Sequence, residues 1–415
     1  MNSKLKKYLT LFLLGMAGNT IYFLPYIKYY FYDAQIAAMG ISNAQSGMLL
    51  TAYTIGNIIL YIPGGFIADK VKPRWAIAIS CASTGLLAFL YSATMSFTIS
   101  LVIWLLFSVT TAFVFWAALM KAVRIIGDEK EQGFLYGFYY ACNGIAGLIA
   151  SSITLHVFNS KNSDVAGFHA VVNTSGMIMI TVAILAVLLL KDNGSKTETT
   201  AENKFRFADL GYLLKQPVVW VISVVIFCGY GVFSNSTYFT PYLSSVCGLD
   251  TSKAAFVAII RQYGLLLLAP IGGLIADKVF KNTAKWLACI LFVIGLLYFG
   301  MLLFGESTNA NFAVFYSLLV GACCMMMYGT VFSLMSGAGI PVKYTGTAIG
   351  IASIIGYLPD SFFAVMFGNW LDTKGAATGY SMIFTFLGAT AVVGAFLAIV
   401  AMKLSHKNKN QTVTE

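Results

Sequence analysis

One seven-residue stretch, Gly64-Gly-Phe-Ile-Ala-Asp-Lys70, recurs as Gly272-Gly-Leu-Ile-Ala-Asp-Lys278, with six of the seven residues identical at an offset of 208. A second stretch, Tyr22-Phe-Leu-Pro-Tyr26, recurs as Tyr238-Phe-Thr-Pro-Tyr242 at an offset of 216. Both offsets are about half of the 415-residue chain. This pattern indicates two similar halves, an organisation that is typical of transporters that rock about a central site.

The composition places these halves in a membrane. Apolar and aromatic residues make up 59% of the chain and charged residues only 10%, whereas soluble domains carry about 25% charged residues. Such a chain cannot build a water-facing surface, which excludes soluble enzymes and nucleic-acid-binding proteins. No P-loop, nucleophile elbow or metal triad is present in the sequence. We therefore expect an all-α polytopic membrane protein without enzymatic activity or a cofactor.

Twelve apolar segments are long enough to cross a bilayer, which takes about 20 residues each. The first six predicted spans are Tyr8–Tyr32, Ser42–Ala68, Arg74–Thr94, Phe97–Ile126, Phe134–Phe158 and Gly167–Leu190. The second six are Pro217–Val246, Thr251–Ala276, Ala284–Phe304, Asn311–Ala338, Tyr344–Trp370 and Ala376–Lys403. We accordingly predict a six-helix half over residues 1–190, a cytoplasmic linker over 191–216, a second half over 217–403 and a cytoplasmic tail over 404–415.

The distribution of basic residues predicts the orientation of the chain. If the N-terminus is inside, the inner segments hold 21 of the 26 Lys and Arg residues and the outer loops hold 3. Cytoplasmic loops of membrane proteins are enriched in Lys and Arg. We therefore expect both termini on the cytoplasmic side of a bacterial-type inner or plasma membrane. The remaining two basic residues, Lys28 and Arg261, lie within predicted spans.

The pattern Gly65-x-x-x-Asp69-Lys70-x-x-x-Arg74, between the second and third spans, resembles the signature loop of the major facilitator superfamily. The copy at Gly273, Asp277 and Lys278 lies where that family often keeps a weaker second one. One departure is Lys72, at a position where the family usually has glycine. The resemblance covers essentially the whole chain and implies the major facilitator fold. It also implies that Asp69, Lys70 and Arg74 latch the two halves on the cytoplasmic side, with Asp277 and Lys278 as a second latch.

Within the superfamily, Tyr26-Ile-Lys28-Tyr-Tyr30 loosely resembles the organophosphate:phosphate antiporters and their uncharacterised relatives. Those proteins place a basic residue after tyrosines in the first helix and a second basic residue on the seventh. This sequence has no basic residue on the seventh span, and the nearest candidate is Arg261 on the eighth.

Two charged residues deep in the spans are the main candidates for a binding site. Asp360 is the only acidic residue well inside a predicted span, and Arg261 is the only basic one near mid-membrane. Each costs roughly 2.5–3.5 kcal/mol at the bilayer centre, so both need a partner, a cavity or a substrate. In one interpretation Arg261 binds an anionic substrate while Asp360 takes up a proton. In the other, the two residues form a permanent clamp between helices.

The other candidates are polar or aromatic side chains in the spans. Lys28 either contacts the substrate or extends to the outer headgroups. The remaining predicted substrate-binding residues are Tyr22, Tyr26, Asn57, Tyr139, Asn143, Asn235, Tyr238, Tyr263 and Tyr357. Side chains of these types also join membrane helices by hydrogen bonds, which is the alternative interpretation for each of them.

These observations predict a monomeric secondary active transporter that moves a small organic anion, such as a sugar phosphate or a sugar acid, by alternating access. The coupling species would be a proton or a counter-anion. Three alternatives stay open: an anion exchanger without proton coupling, a drug or lipid exporter, and a membrane sensor that does not transport.

Overall fold

The computed structural model describes residues 3–126, 132–190, 211, 213–305, 308–339 and 342–414. Across these ranges the regular secondary structure is helical, with no strand. The helices up to residue 190 are α1 Ser3–Phe23, α2 Tyr32–Met39, α3 Asn43–Lys70, α4 Pro73–Thr94, α5 Phe97–Ser108, α6 Phe115–Arg124, α7 Gln132–Asn159 and α8 Asp164–Leu189. The later helices are α9 Pro217–Ser234, α10 Phe239–Ser245, α11 Thr251–Tyr263, α12 Ala269–Leu274, α13 Thr283–Gly300, α14 Ala310–Val331, α15 Val342–Gly356 and α16 Pro359–Thr414.

Nine helical segments in the described ranges are long and apolar enough to cross a membrane. The last of them, Ala348–His406, covers most of the eleventh predicted span and all of the twelfth, and Gly375 between these two spans has a positive φ of 73°. The helix that starts after Gly375 continues to Thr414, beyond the predicted end of the last span at Lys403. Most of the predicted linker 191–216 lies outside the described residues.

The first predicted span is not one helix. It was expected to run from Tyr8 to Tyr32, but α1 ends at Phe23 and is followed by a 3-10 turn, Ile27–Tyr29, and by the short α2. Pro25 explains the break, because proline has no N–H to donate and its ring clashes with the preceding helical turn. The Pro25 carbonyl accepts a hydrogen bond from Trp104 Nε1 at 3.2 Å, which satisfies a backbone group that the break leaves open.

Interruptions also occur in other predicted spans, including the fourth, seventh, eighth and eleventh. The fourth holds a π-helical segment, Val109–Phe113, between α5 and α6. The seventh passes through a 3-10 segment, Asn235–Tyr238, between α9 and α10. The eleventh leaves its helix at Gly356 and re-enters one at Pro359, as expected because a residue that precedes proline is disfavoured in the α conformation. Irregular backbone at membrane depth is tolerated where protein buries it.

The chain forms two compact units, one of Met1–Thr197 with Asp250–Ile259 and one of Glu198–Leu249 with Ile260–Glu415. In the first unit, α4 packs along α8 and α1 along α7, and apolar residues such as Leu14, Phe115 and Val182 fill the space between them. In the second unit, α16 packs against α9 and α13. The rings of Phe239, Tyr298 and Phe384 stack within this second core.

Helix packing explains the first glycine of the repeated seven-residue stretch, which is Gly64 in one copy and Gly272 in the other. A Cβ atom on Gly64 would overlap the carbonyl oxygen of Phe113, and a Cβ atom on Gly272 would overlap that of Met326. Each glycine therefore lets its own helix approach the backbone of another helix in the same unit. Small residues allow close approach of this kind between membrane helices.

Candidate functional site

The Arg261 side chain is held inside the second unit by residues of the repeated stretch Tyr238–Tyr242. Only 5% of Arg261 is exposed, although it is a charged residue. Its Nη2 donates a hydrogen bond to Thr240 Oγ1 at 2.6 Å, and its guanidinium carbon lies 5.9 Å from the centre of the Phe239 ring. A hydroxyl acceptor and an aromatic face both stabilise a buried cation.

Gly321 on α14 makes room for the stem of Arg261. A Cβ atom at position 321 would lie 2.7 Å from Arg261 Cγ and 3.0 Å from Cδ, well inside normal contact distance. The sequence analysis named neither Gly321 nor Thr240. A signal for Thr240 was present, because it is the one position at which the repeated stretches differ, with Leu24 in the first copy.

Asp360 lies in the first turn of α16 and is 4% exposed. Its Oδ2 accepts a hydrogen bond from the hydroxyl of Tyr230 on α9 at 2.5 Å. A helix N-terminus stabilises negative charge, and so does a short bond from a hydroxyl donor. Tyr230 was not among the predicted site residues. Asp360 is therefore hydrogen-bonded to the Tyr230 hydroxyl, and Arg261 to the Thr240 hydroxyl. The anion-site and clamp interpretations both stay predictions.

Aromatic rings surround Tyr230 and complete what we call the Asp360 cluster: Asp360, Tyr230, Tyr357, Tyr328 and Phe233. The Tyr357 ring is perpendicular to Tyr230 at 4.6 Å, and the Tyr328 ring lies 6.2 Å from it. Phe233 and Tyr328 are stacked at 4.1 Å. Of the predicted site residues, this cluster brings together Asp360 and Tyr357.

Lys28 lies in the 3-10 turn that follows the break in the first predicted span. It is 4% exposed, and its Nζ lies 5.2 Å from the centre of the Tyr32 ring. Protein therefore covers the ammonium group, and both interpretations of Lys28 stay predictions.

Several predicted polar residues of the first unit gather beside the π-helical segment Val109–Phe113. The Tyr22 hydroxyl donates to the Thr111 carbonyl at 3.3 Å. The hydroxyls of Tyr53 and Thr111 share a hydrogen bond of 2.9 Å, and the rings of Tyr26 and Tyr53 meet edge to face at 5.5 Å. Asn57 follows Tyr53 by one turn on α3 and is 7% exposed. The hydroxyls of Tyr22, Tyr53 and Thr111 and the Thr111 carbonyl form a cluster of oxygen atoms inside the unit, which we call the oxygen cluster.

Tyr139 and Asn143 join α7 to α1. Asn19 Nδ2 donates to Asn143 Oδ1 at 3.2 Å. Tyr139 is fully buried, and a Cβ atom on Gly18 would overlap its hydroxyl. Asn143 thus makes an interhelical hydrogen bond and Tyr139 an interhelical packing contact, and a role of either residue in substrate binding stays a prediction.

Three more predicted residues lie around the break between α9 and α10 and at the end of α11. Asn235 Nδ2 donates to the Gly231 carbonyl at 2.9 Å, and the Tyr238 hydroxyl donates to the Ala364 carbonyl at 3.3 Å. These bonds stabilise the break and dock it on α16. Tyr263 is the last residue of α11 and is half-buried.

The predicted latch residues are only partly described. Asp69 and Lys70 end α3, and their side chains lie outside the described part of the chain. Arg74 is half-buried beside the Trp75 ring at 5.4 Å, while Asp277 and Lys278 are exposed in the π-helical segment Ile275–Phe280. In the part of the chain that the structure describes, no group of three or more His, Cys, Asp or Glu side chains could hold a metal ion.

In the described part of the chain, helices long and apolar enough to cross a membrane, with charged side chains buried among them, indicate a polytopic membrane protein. The family model of the Major Facilitator Superfamily matches residues 8–364. The chain therefore belongs to the major facilitator superfamily, and it is a transporter-family protein rather than an enzyme.

Named relatives refine this assignment. The chain is 29% identical to the inner membrane protein YqcE and 28% identical to the inner membrane protein YihN, both of Escherichia coli strain K12. The alignments cover 96% of both chains for YqcE and 99% of both for YihN. The glycerol-3-phosphate transporter of Bacillus subtilis strain 168 is 23% identical, over 97% of this chain and 92% of its own. The resemblance to the organophosphate:phosphate antiporter branch is thus confirmed, as is a multi-pass protein of the inner membrane.

Solved structures show the same fold. The nucleoside transporter NupG superimposes with a TM-score of 0.74 at 14% identity, covering 97% of this chain and 100% of that one. At this identity the likeness establishes the fold and no more.

Proposed function

We propose that this protein is a secondary active transporter that carries a small organic anion across the inner membrane by alternating access. In this proposal the two six-helix halves span residues 1–190 and 217–403, both termini are cytoplasmic, and the protein works as a monomer. The excess of Lys and Arg in the predicted inner segments supports this orientation.

The observation that carries the proposal is the buried guanidinium of Arg261. A guanidinium presents five N–H donors in a rigid, planar fork that matches a carboxylate, sulfonate or phosphate group. Thr240 and Phe239 orient this fork, and Gly321 provides the space for its stem. A charged side chain fixed in this way at membrane depth is by default a candidate binding site for an ion of opposite charge.

The names of the relatives point to the same chemistry. Glycerol 3-phosphate, which the Bacillus subtilis relative is named for transporting, is a small organic anion. We extend this class of substrate, and not the particular compound, to the present chain. In the second unit we propose Tyr263 and Tyr357 as further substrate contacts, and in the first unit Lys28, Tyr22 and Tyr26.

Asp360 supplies the proposed coupling step. Its carboxylate lies in the same unit as Arg261 and is held by the Tyr230 hydroxyl. We propose that Asp360 releases and takes up a proton during the cycle, so that anion and proton move together. Exchange of one anion for another is the competing mechanism.

The proposal can be tested by the thermal stability of the purified, full-length protein in detergent with sugar phosphates, sugar acids and sulfonates. A ligand at 100 times its Kd should raise the free energy of unfolding by about 2.7 kcal/mol. We expect Arg261→Ala to abolish this response. The matched control is Lys253→Ala, which removes an exposed basic residue from the same helix and should leave the response unchanged.

Two results would contradict the proposal. One is a response to anions that survives Arg261→Ala, which would place the anion elsewhere. The other is a response to apolar or cationic compounds without any response to anions, which would favour an exporter.

A further inference from the structure

Asn57, one helical turn after Tyr53 of the oxygen cluster, carries a polar atom that the fold does not satisfy. Asn57 is 7% exposed, and among the residues that the structure describes its Oδ1 has no hydrogen-bond partner. A buried carbonyl oxygen without a donor costs about 1–3 kcal/mol. Each such atom in a native structure calls for an explanation, and a ligand is one.

The position of Asn57 on α3 shows what it lies against. It follows Tyr53 by one turn and precedes Gly64 by two turns, so the three residues share one face of the helix. Tyr53 contacts Thr111, and Gly64 packs against Phe113. Both contacts are with the π-helical segment Val109–Phe113, so the helical spacing places Asn57 on the face of α3 that packs on this segment.

The chemistry of this cluster suits a small monovalent cation. Asn57 Oδ1 and the Thr111 carbonyl can only accept, and the hydroxyls of Tyr53 and Thr111 can turn their lone pairs toward a cation. These oxygens carry no formal charge, whereas Ca²⁺ and Mg²⁺ sites are built around carboxylates. Interrupted membrane helices use freed backbone carbonyls to coordinate Na⁺ in other transporters, and π-segments occur frequently at functional sites.

We propose that this oxygen cluster binds a sodium ion, with Asn57 and Thr111 as its central ligands. This assigns Asn57 to the ion rather than to the organic substrate. A sodium ion bound together with a monovalent anion adds no net charge to the protein interior, which lowers the cost of carrying the anion across. The binding of sodium stands independently of the proposed function, and only the statement that sodium crosses with the anion rests on the proposed anion transport.

The test compares the melting temperature of the purified full-length protein in NaCl, KCl and choline chloride at equal ionic strength, without any organic anion. We expect a saturable rise that is specific to Na⁺. Asn57→Leu should abolish the rise. Asn57→Asp should lower the half-saturating Na⁺ concentration by about tenfold or more, because a carboxylate adds Coulombic attraction. Thr54→Val is the matched control, since Thr54 is buried on the same helix but bonds to its own backbone at Leu50.

Equal responses to the three salts, or a Na⁺ response that persists in Asn57→Leu and does not change in Asn57→Asp, would overturn the inference. The anion titration of Arg261→Ala reports on the proposed function separately. If Na⁺ stabilises the protein and no anion does, the sodium site stands and the proposed substrate class fails. If anions bind and Na⁺ has no specific effect, the sodium site alone is wrong.

Discussion

Replacing Gly321 with alanine tests how Arg261 is positioned, with a single added methyl group. The new Cβ would lie 2.7 Å from Arg261 Cγ and 3.2 Å from Leu265 Cδ1. Ordinary carbon contacts are about 3.5–4.0 Å, so the arginine stem must move by roughly 1 Å. The 2.6 Å bond from Arg261 to Thr240 would then stretch beyond hydrogen-bond distance.

The expected cost has two parts. Overpacking a filled interior costs about 1–3 kcal/mol of stability. Losing the charge-assisted bond to Thr240 and misplacing the guanidinium should weaken anion binding by about 10- to 100-fold, since a displacement of 1 Å in a site has effects of that order. Arg261 keeps its charge in this variant. The substitution therefore tests whether the position of the guanidinium matters for anion binding.

The assay is a titration of the purified protein with the anion that stabilises it, followed by melting temperature. Gly350→Ala on α15 is the matched control, because a Cβ atom there meets nothing within 4 Å. An anion affinity that Gly321→Ala leaves within twofold of the parent protein would refute the reasoning, because the orientation of Arg261 would then not matter for binding.

Two further predictions concern the Asp360 cluster. Asp360→Asn should spare the exchange of labelled for unlabelled anion in proteoliposomes and abolish uphill uptake driven by a pH gradient. Equal loss of both activities would favour a structural clamp. Tyr230→Phe should lower the free energy of unfolding by about 1.5–3 kcal/mol, because it removes a donor from a buried carboxylate. The control is Tyr316→Phe, which removes a half-buried hydrogen bond to the neutral Leu297 carbonyl and should lower the free energy of unfolding by about 1 kcal/mol or less. Equal losses of stability in Tyr230→Phe and Tyr316→Phe would contradict a charged Asp360.

The sequence predicted the helical class because apolar runs of bilayer length are unmistakable in a chain with 10% charged residues. The sequence-based prediction missed the positions at which the membrane helices are interrupted. Pro25 signals a break, yet the prediction carried the first helix through it to Tyr32. No residue type announces the π-helical segment at Val109–Phe113, because its geometry follows from packing against α3 rather than from local propensity.

For the candidate site, the sequence identified the charged residues but not their partners. Arg261 and Asp360 stand out because charge is rare and costly in apolar helices. Tyr230 lies 130 residues from Asp360 along the chain and looks like any other tyrosine in a helix. Gly321 acts through the absence of a side chain, which becomes visible only once α11 and α14 are placed side by side.

The two copies of the repeated stretches also differ in an informative way. Leu24 stands 216 residues before Thr240, and Tyr53 stands 208 residues before Arg261. The charged donor and its hydroxyl acceptor therefore occur as a pair in one copy, and both are replaced in the other. A buried guanidinium without an acceptor would be costly in an apolar interior. If the copies descend from one duplicated ancestor, the divergence between them placed a buried charge and its hydrogen-bond acceptor in the second half only.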